Sequence, residues 1–213
     1  MNVKSIHRKT GLLLTVFVLL HMITHLSGLF GLEAYFAMQN ALRQIYRNIV
    51  IETLLLSAFA IQIVLGIRLI TTNFRRKLGE KWSRRQTLSG LVLLVFVSQH
   101  LIAMSVTRWV YALDTTFYWP AAVMSGPPFY WYFAPYYFLG VSAIFVHLAC
   151  AVRLHLLRHK CHAAAGPAFW SITVCGVLIA VVINLILLGA FFDIALPDQW
   201  LGYLQKFIPS YGG

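Results

Sequence analysis

Long apolar runs alternate with short polar stretches along the whole chain. Five runs exceed the roughly 20 residues that a helix needs to cross a bilayer. They predict spans 1 to 5 at about 10–31, 49–73, 87–111, 131–157 and 168–192. The stretch between spans 1 and 2 has a different pattern. Tyr35, Met38, Leu42, Ile45 and Tyr46 recur at helical spacing within 33–47. That periodicity predicts an amphipathic helix lying in the interface. Residues 1–9 read as a short basic head, and 74–86 and 158–167 as polar loops. Residues 112–130 are rich in aromatics, Pro and Gly and read as an anchoring belt at the membrane surface. The tail 193–213, with Pro197 and Pro209, is expected to lie along the outer surface. The first run lacks a small-residue cleavage site, so it reads as a retained span.

A faint repeat runs through the first four spans. "TGLLLTVFVLLH" (10–21) resembles "SGLVLLVFVSQH" (89–100), and "QIVLGIRL" (62–69) resembles "HLACAVRL" (147–154). Spans 1 and 2 then look like a copy of spans 3 and 4. The expectation is an all-α integral membrane protein, one domain over 1–213. Spans 1–4 would form a four-helix bundle with pseudo-twofold symmetry, and span 5 would be peripheral.

Composition narrows the class. The 213 residues are 60% hydrophobic and 11% charged, with a mean hydropathy of +0.75. These values argue against both disorder and a soluble globular domain. The net charge of +11 does not point to nucleic acid, because of where it falls. Of the 17 Lys and Arg residues, all but Arg43, Arg47, Arg108 and Lys206 lie on one side of the five-span arrangement. Of the six acids, all but Glu80 lie toward the other side. By the positive-inside rule, the N-terminus is cytoplasmic and the C-terminus outside, in a bacterial inner membrane. Cys150 and Cys175 fall inside spans and Cys161 in a loop, a spacing that suggests no disulfide framework.

Histidine is costly in hydrocarbon, yet several lie in the spans. His21 sits about 17 Å along span 1, and His100 about 20 Å along span 3, at 1.5 Å per residue. The two spans run in the same direction, so these imidazoles reach similar depth. His25 follows one turn beyond His21, and His147 lies in the cytoplasmic half of span 4. One such histidine is ordinarily an interhelical hydrogen-bond former. A pair at matched depth on different helices suits axial ligation of haem iron. Gly11, Ser27, Gly28, Ser89 and Gly90 would let a flat macrocycle approach the backbone.

The motifs "SIHRKTG", "LSGLVLLVFVSQH" and "GVSAIFVHLACAVR" resemble the cytochrome b membrane-anchor subunits of succinate dehydrogenase and fumarate reductase, in their five-helix, dihaem form. The segment "LRQIYRNIVIE" departs from those anchors and is closer to other bacterial membrane proteins of that fold. In the family, spans 1 and 3 ligate an outer haem b, and spans 2 and 4 an inner one. The resemblance implies that His21 and His100 hold the outer haem and that His147 is one inner ligand. The second inner ligand is not carried over, because Gln62 stands where the family has histidine. One bis-histidine haem is therefore implied, with His25 an alternative to His21. Gln62 is expected to hydrogen-bond His147 across the bundle instead.

The resemblance also implies exchange of electrons between a quinone pool and soluble flavoprotein and iron–sulfur subunits on the cytoplasmic face. The chain carries no dinucleotide fingerprint and no Cys-rich iron–sulfur motif, so it reads as a redox subunit rather than a complete enzyme. Glu52, near the outer end of span 2, is a candidate proton acceptor at a quinol site. The alternative for Glu52 is an ion pair with Arg43 or Arg47. His7, beside Arg8 and Lys9, is a second candidate for quinone or propionate contact, against a plain interfacial role. His155 and His159 have the spacing of a metal pair, but their basic surroundings favour a solvated helix end. The competing function is a haem-free accessory subunit whose histidines are polar glue between helices.

Overall fold

In the computed structural model, described for residues 2–72 and 74–212 and for all their side chains but those of 75–77, helices start earlier than the apolar runs suggest. Helix α1 (Val3–Leu26) begins at Asn2, whose side chain accepts from the Lys4 N–H at 3.1 Å. That bond satisfies one of the free donors of a first turn, and the basic head becomes helical. A 3-10 turn (Ser27–Phe30) leads to Gly31, whose φ of +104° few L residues tolerate. There the chain turns into α2 (Leu32–Tyr46), the helix expected at 33–47. Asn48 caps α3 (Ile49–Thr71) through the Val50 N–H at 3.0 Å. Asn73, taken as the end of span 2, and the Arg75, Arg76 and Lys77 side chains of the basic tally lie outside the described residues.

The expected polar loop at 74–86 is largely helical. It holds α4 (Phe74–Gly79) and the first turns of α5 (Lys81–Ser105), separated by the extended Glu80. A π-turn (Val106–Val110) continues α5. Then follow α6 (Tyr118–Met124), α7 (Phe129–Arg158), α8 (His162–Leu187) and α9 (Asp198–Gln205). Helix α8 ends five residues before the predicted 192. Gly189, at φ +77°, donates to Ile186 O at 3.1 Å, and Ala190 donates to Leu185 O at 3.0 Å. This paired closure of the last turn needs a left-handed residue, and glycine supplies it.

All regular structure among the described residues is helical, and five helices are long and apolar enough to cross a membrane: those of Val3–Phe30, Ile49–Thr71, Lys81–Val110, Phe129–Arg158 and His162–Leu187. The arrangement differs from four helices plus one outside. Helix α1 packs on α3, α3 on α5, α5 on α7, α7 on α8, and α8 returns to α1. The α7–α8 seam is the most extensive. Ala180, Ile183, Ile186 and Leu187 of α8 are buried. Of the most apolar window of each span, 33% is buried in α8, against 6% in α3 and 6% in α5. The thinly packed helices are thus α3 and α5, and α8 is a member of the ring with one buried and one exposed face.

Small residues explain the α7–α8 seam. Gly176 lies so close to Phe145 that a Cβ would overlap the phenylalanine side chain; at the neighbouring α5–α7 seam, Gly140 meets the Phe96 ring in the same way. Overpacking a filled seam costs about 1–3 kcal/mol. Gly176→Ala should lower the thermal stability of the purified protein by that order. Gly166→Ala, in the same helix but facing open space, should leave it equal or higher. Equal effects at both sites would refute the packing account.

The sequence at 112–130 is not merely a belt. Phe117, Ala121, Ala122 and Met124 are buried, and α6 packs against α7, α8 and α9. Trp200 and Leu204 of α9 are buried as well. The 112–130 segment and the tail therefore form a folded cap over one end of the bundle. The opposite end, where α1, α5 and α8 begin and α3 and α7 finish, carries most of the Lys and Arg residues and is termed the basic face.

Candidate functional site

The repeat seen in the sequence is reproduced in the contacts. Phe17 and His21 stack on α1 with ring centroids 5.9 Å apart and planes at 12°. Phe96 and His100, at equivalent positions of α5, stack at 5.7 Å and 25°. Nearer the basic face, Thr10 Oγ1 donates to Gln62 Oε1 at 2.6 Å, and its counterpart Ser89 Oγ lies 3.2 Å from His147 Nδ1. Gly11 gives Gln62 its room, since a Cβ there would sit 3.0 Å from Gln62 Nε2. Gly90 does the same for His147, at 3.2 Å from Cε1. Two helix pairs thus carry the same polar joint, once with an amide and once with an imidazole.

At the capped end, His21 and His100 come together from helices that are not neighbours in the ring of spans. Their ring centroids are 6.3 Å apart with planes at 71°, and both residues are half-buried. His25 is also here, its Nε2 3.3 Å from His21 Nε2. Tyr35 of α2, itself buried, brings its hydroxyl within 3.4 Å of His25 Nδ1. Trp119 of α6 closes the far side, with its ring 5.1 Å from His100. Trp119 is held by donating to Thr107 Oγ1 at 3.1 Å. Phe17 and Phe96 were legible as the shared "VFV" of the repeat. Tyr35 and Trp119 were not, because interfacial aromatics and site aromatics look alike in a sequence.

The expected hydrogen bond between Gln62 and His147 is not formed. Gln62 instead bonds Thr10, and its Nε2 lies 3.4 Å from His7 Nε2. His7 therefore belongs to this inner polar cluster and is half-buried, rather than solvated at the surface. Its Nδ1 is buried with no hydrogen-bond partner. Glu52 also departs from its expected partners. It pairs with Arg108 of the π-turn, and both side chains are mostly shielded, at 18% and 14% exposure. No signal in the sequence distinguished Arg108 from the other outer-side cations.

Arg43 and Arg47 hold Asp114 instead. Arg43 Nη1 donates to Asp114 Oδ2 at 2.6 Å, and Arg47 Nη1 to Oδ1 at 3.2 Å. Arg43 Nη2 donates to Thr115 O at 2.6 Å, so α2 is clamped to the segment entering the cap. Partial burial pushes the Asp114 pKa up, but the Arg43 hydrogen bond and charge, with Arg47, outweigh it and hold it below the ordinary 3.8. A depressed folded pKa gives stability that is present above the ordinary value and is lost as pH falls through the folded one. Asp114→Asn should therefore lower the unfolding midpoint at pH 7, and the deficit should shrink as pH approaches 3. A deficit independent of pH would show that the clamp works without the carboxylate charge.

His155 and His159 do meet, with centroids 4.4 Å apart, at an exposed helix end. Among the described residues, no group of three or more His, Cys, Asp or Glu side chains is arranged to hold a bare metal ion. The three cysteines are free. Haem asks for less than a bare ion does, since the macrocycle supplies the equatorial nitrogens and the protein supplies the axial ligands. His21 and His100, with ring centroids 6.3 Å apart, are the two imidazoles from different spans that could reach one such group. The His21–His25 contact competes for the same nitrogen.

Taken together, the fold and this site define an all-α membrane protein with several spans and an internally repeated pair of helices. No family model matches the chain, and neither curated proteins nor solved structures give a match.

Proposed function

We propose that the protein is a b-type cytochrome subunit of a membrane redox complex, similar to the anchors of succinate dehydrogenase and fumarate reductase. His21 from α1 and His100 from α5 would hold one haem b. The observation that carries this reading is their meeting from repeat-equivalent positions of two spans, with ring centroids 6.3 Å apart. Haem iron so bound supplies one-electron oxidation and reduction. Phe17 and Phe96 fix the two imidazole planes by stacking. The Tyr35 hydroxyl, 3.4 Å from His25 Nδ1, would orient the His25 ring, whose Nε2 would have to give up its contact with His21 Nε2 for that nitrogen to hold iron. Electrons would pass between a quinone in the bilayer and flavoprotein and iron–sulfur partners on the basic face. That face is cytoplasmic on the positive-inside rule, in a bacterial inner membrane. Glu52, held by Arg108, is the carboxylate nearest to a proton-accepting role at the capped end. Gln62 leaves the inner level with a single imidazole from the repeat, so one haem is proposed.

A haem-free accessory subunit is the second reading. It is favoured by the His21–His25–Tyr35 contacts, which satisfy these groups without a cofactor. A reduced-minus-oxidised spectrum of protein purified from a haem-replete host separates the two. A low-spin b-type difference band is expected; its absence at full haem supply rejects the cytochrome.

A further inference from the structure

Arg85 of α5 and Arg153 of α7 converge on one aromatic ring near the basic face. The Arg153 guanidinium carbon lies 3.6 Å from the Trp82 ring centroid, and that of Arg85 lies 4.6 Å from it. Arg85 is also 5.3 Å from the Phe169 ring and 5.4 Å from the Trp170 ring, both on α8. Trp82 and Phe169 meet edge to face at 4.9 Å. Both guanidinium groups thus lie against the same indole, and Arg85 is walled by Phe169 and Trp170 as well. No carboxylate among the described residues pairs with either, the recorded ion pairs being those of Asp114 and Glu52. Neither guanidinium donates a hydrogen bond to a described residue, and Arg153 Nε is buried without a partner among them.

Cation–π contacts offset part of the cost of bringing the two charges together. They do not satisfy the planar N–H forks, which match phosphate oxygens in geometry and charge. We propose that Arg85 and Arg153, framed by Trp82, form a binding site for the headgroup phosphate of an anionic phospholipid. Basic pockets between membrane helices on the positively charged side are suited to such headgroups. Lipid is favoured over a soluble phosphate because an apolar stripe descends from the pocket. Trp170, Val174 and Leu178 of α8 are exposed at 55%, 54% and 60%, one helical turn apart, as an acyl chain would require. The site is independent of the histidines.

Native mass spectrometry of the purified chain in detergent tests the proposal. Titration with phosphatidylglycerol should give a retained adduct and phosphatidylcholine should not. Arg85→Gln and Arg153→Gln should each weaken the adduct about tenfold or more, the loss of one to two charge-assisted hydrogen bonds. Arg84→Gln, an exposed cation one residue away, should not. Arg85→Lys keeps the charge and should retain part of the binding if the Gln variant misfolds. Equal adducts with both lipids, or equal losses at Arg84 and Arg85, overturn the site. Displacement of the lipid by millimolar inorganic phosphate overturns the lipid assignment in favour of a soluble anion.

Discussion

Replacing His100 by alanine should abolish the b-type difference band, while Gln62→Ala should leave it at full height. The two residues test the two levels of the repeat. His100 and His21 meet at 6.3 Å across the interior. If they hold the haem as proposed, removing one would leave a single ligand, and a low-spin signature needs both. Gln62 bonds Thr10 and faces His7, so its loss disturbs only the joint near the basic face. His25→Ala is the informative third variant. It removes the competitor at His21 Nε2, and the band should persist. A band that survives His100→Ala but is lost with His25→Ala would move the ligand assignment. All variants need matched yield and helical circular dichroism, because the Phe96–His100 stack also packs α5 against Gly140 and Tyr136.

Breaking the Glu52–Arg108 pair should destabilise the protein more than any other surface-distant substitution considered. The pair joins α3 to the π-turn that extends α5. Removing one partner of a fully buried pair costs about 3–5 kcal/mol, because the other charge is stranded. With 14% and 18% of the two side chains exposed, about 2–3 kcal/mol is expected for Glu52→Gln or Arg108→Gln. The double variant removes both charges and should recover part of the loss, with a coupling above about 1 kcal/mol. Unfolding in mixed micelles measures all three. Strictly additive losses would show that the two charges do not stabilise one another. A quinol-oxidation assay on the same proteins then tests whether Glu52 also serves the proposed chemistry.

Much of the membrane architecture was readable from the chain alone. Five apolar runs gave five spans, and the tyrosine and leucine spacing of 33–47 gave α2. The matched strings 10–21 and 89–100 marked the repeat but not its contacts: Gly11 and Gly90 make room for Gln62 and His147 rather than for a macrocycle, and the Phe–His stacks emerge only in the fold. The neighbour order of the spans was not readable. In hydrocarbon, a face against lipid and a face against protein are both apolar, so amphipathicity does not mark which face is buried. The clue to α8 was steric, in Gly176 and Ala180, and small residues point to contact without naming the partner. The buried cap was missed for a related reason: Phe117, Trp119 and Trp200 have the composition of an interfacial girdle. Ion-pair partners were missed because Arg43, Arg47 and Arg108 are equivalent by sidedness, and only the fold chooses among them.

The cap has a consequence for traffic. Tyr35, Phe117 and Trp119 roof the histidine level, and Trp200 and Leu204 lie fully buried in the tail helix behind them. Water-borne molecules meet an insulating ceiling there. With the spans across a bilayer, the thin apolar flanks at α3 and α5 would be the side from which a guest reaches that level. Its arrival rate would then follow its solubility in oil rather than its aqueous concentration.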